Sequence, residues 1–128
     1  MYGPIDSQLL LRDIGDGAET ASADEAGVAF DPAAHTDFKV VFHVSALDTA
    51  DADETYDLVV DVDSEVAFGD TPVEVASLTV TAPGTYEIPL SGAFIGYQDA
   101  DAAAIRVGAV LAGTTPSITY GAYIAPVN

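Results

Sequence analysis

The 128-residue sequence contains no cysteine, no tryptophan and only three basic side chains, Arg12, Lys39 and Arg106. Without cysteine there is no thiolate nucleophile, no disulfide framework and no cysteine-ligated zinc site. The sequence also lacks the apolar run of roughly 20 residues that a membrane-spanning helix needs. Its first residues, MYGPIDSQ, do not combine a basic region with an apolar stretch, so we expect no secretory signal.

Acidic side chains dominate the charge, since 21 Asp and Glu against three Lys and Arg give a net charge of −18. Nucleic acids and anionic lipids are bound mainly through Lys and Arg, so we expect neither a nucleic-acid partner nor a membrane partner. Two interpretations of the acidity stay open. A high net charge keeps a protein soluble, notably in a saline environment, and it also steers a protein toward a basic partner.

From residue 36 onward, apolar and polar residues alternate with the period of a β-strand. The pattern is clearest over residues 38–46 and 56–63. Further predicted strands cover residues 73–81, 85–90, 105–112 and 117–124. They are bounded by turn residues, among them Ser91-Gly92. Because these segments are short and no helix of three turns separates them, the sequence predicts an all-β fold, an antiparallel β-sandwich or jelly roll of about eight strands.

The length suits one domain, and we assign residues 1–128 to a single sandwich. The first 35 residues lack the clear alternation. Residues 9–14 fit a strand or a short helix, residues 18–29 fit an edge strand whose charges discourage pairing, and residues 1–17 form a candidate N-terminal arm. We also expect one helical turn over residues 64–68.

No group of residues in the sequence matches a catalytic or cofactor-binding motif. His43 and Ser45 share a strand face without forming a triad signal, and the other histidine, His35, falls in a predicted loop. Glycine-rich phosphate loops are absent as well. We therefore expect no enzyme activity, no catalytic residue and no cofactor.

Clusters of carboxylates offer the oxygen ligands that a hard cation such as Ca²⁺ binds. Asp61 and Asp63 share a strand face and Glu65 follows, which makes these three the candidate ligands. Residues 51–54 and 99–101 hold further acids. None of the clusters has the glycine and glutamate spacing of an EF-hand loop, so a solvated acidic face is the simpler interpretation and we expect no dedicated metal site.

Three stretches of the sequence, residues 52–68, 83–90 and 112–126, resemble one protein family. Their motifs are the strand start Asp53-Glu54-Thr55-Tyr56, the strand Tyr86-Glu87-Ile88-Pro89-Leu90 and the hairpin Gly113-Thr114-Thr115-Pro116-Ser117-Ile118-Thr119. Their order and spacing are similar to those of the capsid cement (decoration) proteins of tailed bacteriophages, in particular the small jelly-roll family of short-tailed phages. The hairpin is the most specific of the three motifs.

The resemblance implies a virion structural protein without enzymatic activity. Such proteins bind the outer surface of the assembled phage head in many copies and bridge neighbouring major capsid proteins, which stabilises the shell against the pressure of packaged DNA. For this chain the resemblance implies production in the host cytoplasm and a final place on the outer capsid surface. Its partners would be the major capsid protein and further copies of itself, with a dimer favoured.

The resemblance also implies that Tyr56 and Tyr86 face the core and that residues 113–116 form the turn between the last two strands. We expect the interface with the capsid or with a second copy in the N-terminal segment, because this segment is apolar although it lies outside the strand pattern. The candidate residues are Tyr2, Ile5, Leu9, Leu10 and Leu11.

Two alternatives to a cement protein stay open. One is another β domain of the virion, from a tail, a fibre or a head–tail accessory protein. The other is a Ca²⁺-dependent binding module, whose melting temperature a chelator would lower.

Overall fold

A computed structural model describes residues 10–31 and 37–126, which form ten β-strands and two short helical segments. The strands are β1 (Leu10–Arg12), β2 (Ala18–Glu19), β3 (Ala23–Asp24), β4 (Val28–Ala29), β5 (Asp37–Leu47), β6 (Thr55–Asp63), β7 (Val73–Thr79), β8 (Gly84–Ser91), β9 (Ala104–Ala112) and β10 (Ile118–Pro126). A 3₁₀ turn covers Ile14–Asp16 and helix α1 covers Gly92–Gln98. No helix within the described ranges is long and apolar enough to cross a membrane.

The strands form two antiparallel sheets with the same layout. Sheet 1 has the order β8–β5–β10, with β1 and β2 end to end along the outer edge of β10. Sheet 2 has the order β7–β6–β9, with β3 and β4 end to end along the outer edge of β9. When each interrupted edge is counted as one strand, there are eight strands in jelly-roll order, and successive strands alternate between the sheets except for the neighbours β6 and β7. The predicted fold class is therefore confirmed.

The core lies between the two sheets and is built on the inward faces of β5 and β6. The side chains on these faces are each at most 1% exposed: Phe38, Val40, Phe42 and Val44 on β5, and Tyr56, Leu58, Val60 and Val62 on β6. These are the faces that the alternation predicts. Burying a side chain of this size contributes about 1.5–3 kcal/mol relative to leaving it in water.

The N-terminal segment runs along one side of the sandwich and belongs to both sheets. β1 and β2 pair with β10 in sheet 1, and the chain then crosses to sheet 2, where β3 and β4 pair with β9. The predicted edge strand over residues 18–29 is thus divided between two sheets. Residues 10–16 contain both of the structures that the sequence allowed, a strand followed by a 3₁₀ turn.

The loop between β6 and β7 folds back over the outer face of sheet 2. Asp63, only 1% exposed, accepts hydrogen bonds from the backbone N–H groups of Ser64, Asp70 and Thr71 at 2.8, 3.2 and 3.2 Å. The expected helical turn over residues 64–68 does not extend into a helical segment. A single turn remains, in which the N–H of Phe68 donates to the Glu65 carbonyl at 3.0 Å.

Gly27 lies beneath this loop, where a β-carbon would be 2.2 Å from the carbonyl oxygen of Val66 and 2.7 Å from the ring of Phe68. We expect Gly27→Ala to lower the free energy of unfolding by about 1–3 kcal/mol, the usual cost of overpacking. Gly96→Ala is the matched control, because a β-carbon there meets no atom within 4 Å and lies on α1. It should leave stability unchanged or raise it by up to about 1 kcal/mol.

Urea unfolding of both variants measures the two effects. Similar stabilities for Gly27→Ala and Gly96→Ala would contradict the close packing of the β6–β7 loop on Gly27.

Candidate functional site

All three Lys and Arg side chains are engaged in ion pairs within the protein. The pairs are Arg12 with Glu19 and Glu25 (3.4 and 3.2 Å), Lys39 with Glu87 (3.1 Å), and Arg106 with Asp24 and Asp61 (3.3 and 3.2 Å). Because these cations are committed internally, they do not offset the remaining acids. The surface therefore carries a strongly negative field, which attracts cations and basic surfaces.

A buried charge cluster joins the edges of the two sheets. Arg12, 4% exposed, donates hydrogen bonds to the carbonyl oxygens of Tyr120 and Gly17 and lies over the Tyr120 ring, 4.5 Å from its centroid. Desolvation raises the pKa of Glu25 to about 7, and a hydrogen bond with Glu19 adds to the rise, whereas Arg12 opposes it. Two glutamates thus share one cation, and Glu25 is protonated in the folded protein below about pH 7.

The three carboxylates predicted as candidate cation ligands all have partners within the fold, and two of them, Asp63 and Glu65, hold the β6–β7 loop. Asp61 lies 3.2 Å from Nε of Arg106, and Asp63 accepts the backbone N–H groups described above. The exposed Glu65 accepts the N–H of Gly69 at 3.2 Å. Each of the three thus has a donor within the fold, and their role as ligands stays a prediction.

A different acidic trio comes together between the β5–β6 loop and the β9–β10 hairpin. Within the described ranges, Asp51, Asp53 and Glu54 are the acidic residues with ligand oxygens all within 4.8 Å of one another. Thr114 donates to Asp53 through its N–H and its hydroxyl at 3.1 and 2.6 Å, and the Thr115 hydroxyl donates to Asp51 at 2.7 Å. The hydrogen bonds from Thr114 lower the pKa of Asp53, which keeps this carboxylate charged.

Tyr56 and Gly113 hold the β5–β6 loop against the β9–β10 hairpin. The Tyr56 hydroxyl donates to the Asp48 carbonyl and accepts the N–H of Ser117 at 3.0 Å. Gly113 has a φ of +112°, and a β-carbon on it would be 2.6 Å from the Cα of Glu54. Only glycine suits both the backbone angle and the close approach. Residues 52–68 and 112–126, two of the stretches that carry the family resemblance, are therefore in direct contact.

Helix α1 presents two aromatic side chains to solvent at the opposite end of the sandwich. Ser91 caps the helix by accepting the N–H of Phe94 at 3.0 Å, and Ile95 is buried. Ile95 anchors one face of the helix in the core, and Phe94 and Tyr97 on the rest of the helix are 42% and 87% exposed. The predicted Ser91-Gly92 turn is thus the start of a helix, and exposed aromatic area of this kind is enriched at protein–protein interfaces.

Beside α1 lies a groove of about 420 Å³ at the free edge of sheet 1. It is lined by Asp37, Pro89, Leu90, Ser91 and Phe94. Pro89 discourages the pairing of a further strand with β8, because proline provides no backbone N–H. A partner at this end would therefore bind through side-chain contacts rather than by extending the sheet.

A search against models of known protein families finds no match to this sequence, and no curated protein matches it. The function has to be argued from the residues and from their arrangement.

Two of the five predicted interface residues lie within the described ranges. Leu11 is 5% exposed and belongs to the core. Leu10 is half-buried and pairs with Tyr123 at the edge of sheet 1. Tyr2, Ile5 and Leu9 lie outside the described residues. The N-terminal interface stays a prediction, and of the described pair Leu10 has more side-chain surface to offer a partner.

His43 and Ser45 have separate partners on the outer face of sheet 1. Nδ1 of His43 lies 3.1 Å from the Thr85 hydroxyl, and the Ser45 hydroxyl donates to the Thr119 carbonyl at 3.4 Å. Neither contact links the serine to the histidine. His35 lies outside the described residues.

Sequence reasoning missed Phe94, Tyr97 and the pair of Arg12 with Glu25. The signal for α1 was present in the N-capping serine at residue 91 followed by apolar residues, but two helical turns give little periodicity. Nothing in the sequence places residue 12 beside residue 25, because that contact depends on how the N-terminal segment crosses between the sheets.

Glu25 should make the stability of the protein depend on pH. Because its pKa rises from an ordinary value of 4.5 to about 7, the folded chain binds this proton more tightly than the unfolded chain. The resulting stabilisation is complete below pH 4.5 and is lost as the pH rises through about 7. After allowance for solvent screening, we expect a loss of about 1 kcal/mol over this range, absent in Glu25→Gln.

Urea unfolding at several pH values measures this difference between the wild-type chain and Glu25→Gln. Glu74→Gln, the same change at an exposed position of β7, is the control and should follow the wild-type chain. If both variants show the wild-type pH dependence, Glu25 is not the group responsible.

Proposed function

We propose that the chain is a capsid cement (decoration) protein that binds the outer surface of an assembled phage head. The observation that carries the proposal is the direct contact between two of the stretches that resemble this family. Asp53 in the first stretch binds Thr114 in the third, and Tyr56 binds Ser117. Residues that share one family likeness are thus also neighbours in space, as expected when they determine a common fold.

The strand order supports the same proposal. The resemblance implies a jelly roll, and the two sheets have the jelly-roll order. Tyr56, 1% exposed, faces the core as the resemblance implies. Tyr86 is half-buried, packs against the core and donates its hydroxyl to the Ala82 carbonyl. Because one fold can host many functions, the proposal also depends on the charge and the exposed side chains of the surface.

The surface offers the two properties that docking on a shell requires. The uncompensated negative charge keeps free copies apart in solution and complements a basic patch on a partner. Exposed aromatic side chains such as Tyr97 provide large contact areas at low entropic cost, and such residues are the usual hot spots of interfaces. We therefore assign the contact with the major capsid protein to the end of the sandwich that carries α1.

Stabilisation of the shell then follows from mass action. A protein that binds only the assembled state lowers its free energy by about 2.7 kcal/mol per site at a concentration one hundred times the dissociation constant. Because a shell repeats the same site many times, moderate affinity per copy is sufficient. No chemical step is required of the chain in this mechanism.

The test is to mix the purified chain with capsids of the virus that encodes it and to count the bound copies by sedimentation and gel densitometry. A cement protein should saturate at one copy per major capsid subunit or a simple fraction of that number. Weaker binding at high salt would assign the acidic surface to docking, because added salt screens the attraction between exposed charges. A few copies per particle would instead indicate a tail, fibre or head–tail component.

The same assay tests α1 as the contact. Tyr97→Ala should weaken binding at least tenfold, as truncation of a hot-spot residue costs about 2 kcal/mol or more. Val110→Ala is the control, since Val110 is 49% exposed on the outer face of sheet 2, away from α1. Equal affinities of the two variants would remove α1 from the interface and would direct attention to Leu10 and the residues before it.

A further inference from the structure

The β5–β6 loop gathers three carboxylates at the end of the sandwich opposite α1. The ligand oxygens of Asp51, Asp53 and Glu54 lie within 4.8 Å of one another. The three Lys and Arg side chains are all paired with other acids, so none of them compensates this trio. Like charges this close repel one another, and the loop needs another source of positive charge.

Glu54 is the member of the trio that points to a ligand. Both of its carboxylate oxygens are buried, and neither accepts a hydrogen bond within the described part of the chain. A buried carboxylate without donors is costly, and it becomes acceptable when it binds a proton or a metal ion. The two neighbouring aspartates are exposed, so a cation from solvent can reach the trio and satisfy all three groups.

The β9–β10 hairpin holds the two aspartates in position without using up their oxygens. Thr115 donates to Oδ2 of Asp51 and leaves Oδ1 free. Thr114 donates once to each oxygen of Asp53, and each of those oxygens keeps a second lone pair. Donors of this kind orient the ligands of metal sites, and their loss typically weakens metal binding 10- to 100-fold.

We propose that Asp51, Asp53 and Glu54 bind a Ca²⁺ ion that links the β5–β6 loop to the β9–β10 hairpin. All the ligands are oxygen atoms, as Ca²⁺ prefers, and its flexible coordination by six to eight oxygens accommodates two exposed carboxylates completed by water. Mg²⁺ demands strict octahedral geometry, and Zn²⁺ prefers histidine and cysteine ligands. The trio contains neither of these residues.

Calorimetry and thermal unfolding of the full chain test the proposal after dialysis against a chelator. Titration with CaCl₂ in about 0.15 M NaCl, which screens the exposed charges, should show one ion per chain. At a free Ca²⁺ concentration ten times the dissociation constant, we expect the melting temperature to rise by about 3–6 °C. MgCl₂ at the same concentration should give a clearly smaller rise.

Two variants separate a metal site from a general charge effect. Glu54→Gln keeps the shape but removes one charge, so it should raise the melting temperature without Ca²⁺ and should abolish the further rise with Ca²⁺. Asp101→Asn removes the same charge from an exposed position near the opposite end of the sandwich and should keep the full response. Thr114→Val should weaken Ca²⁺ binding about tenfold, and Thr114→Ser should restore it.

Absence of a binding heat would overturn the proposal. So would equal responses to Ca²⁺ in Glu54→Gln, Asp101→Asn and the wild-type chain, because the ions would then only screen the surface charge. The test uses no capsids, so its result is independent of the proposed cement function.

Discussion

Pairing of two largely buried arginines with carboxylates at two structural junctions is the constraint on which this sandwich depends. Arg12 joins the edge of sheet 1 to Glu25 on the segment that has crossed to sheet 2, and Arg106 joins β9 to β3 and β6. Because both guanidinium groups are largely buried, the loss of either partner would leave an uncompensated charge in the fold. The pair of Lys39 with Glu87 is more exposed and contributes little.

Because all three Lys and Arg side chains are paired with acids of the protein, the other acids need different partners. With all Lys and Arg used inside the fold, the remaining acids can be satisfied only by water, by backbone and hydroxyl donors, or by ions from outside. Asp63 illustrates the second solution, since three backbone N–H groups satisfy it. Glu54 has no such donor among the described residues, and this lack, rather than the number of nearby acids, distinguishes it.

The sequence predicts the fold where strands are long and one face is buried. β5 and β6, with 11 and 9 residues, repeat the alternation often enough to identify both their limits and their inward faces. β1 to β4 have two or three residues each, so their structure depends on pairing with β9 and β10. Among the acidic clusters, sequence alone does not distinguish residues 51–54 from residues 61–65, because the deciding contacts with Thr114 and Thr115 span 61 and 64 residues.

The two proposals concern opposite ends of the molecule, and this separation suits the bridging of subunits that the proposed cement function requires. β5 leads from Asp37, beside the α1 groove, to Leu47, just before the acidic loop, a distance of about 30 Å for a strand of this length. A bridging protein needs two contact regions that face different neighbours, and a single patch cannot provide them. An aromatic end and an end whose charge depends on Ca²⁺ would meet that need with different chemistry. If both proposals hold, binding at the acidic end depends on Ca²⁺ and binding at the α1 end does not.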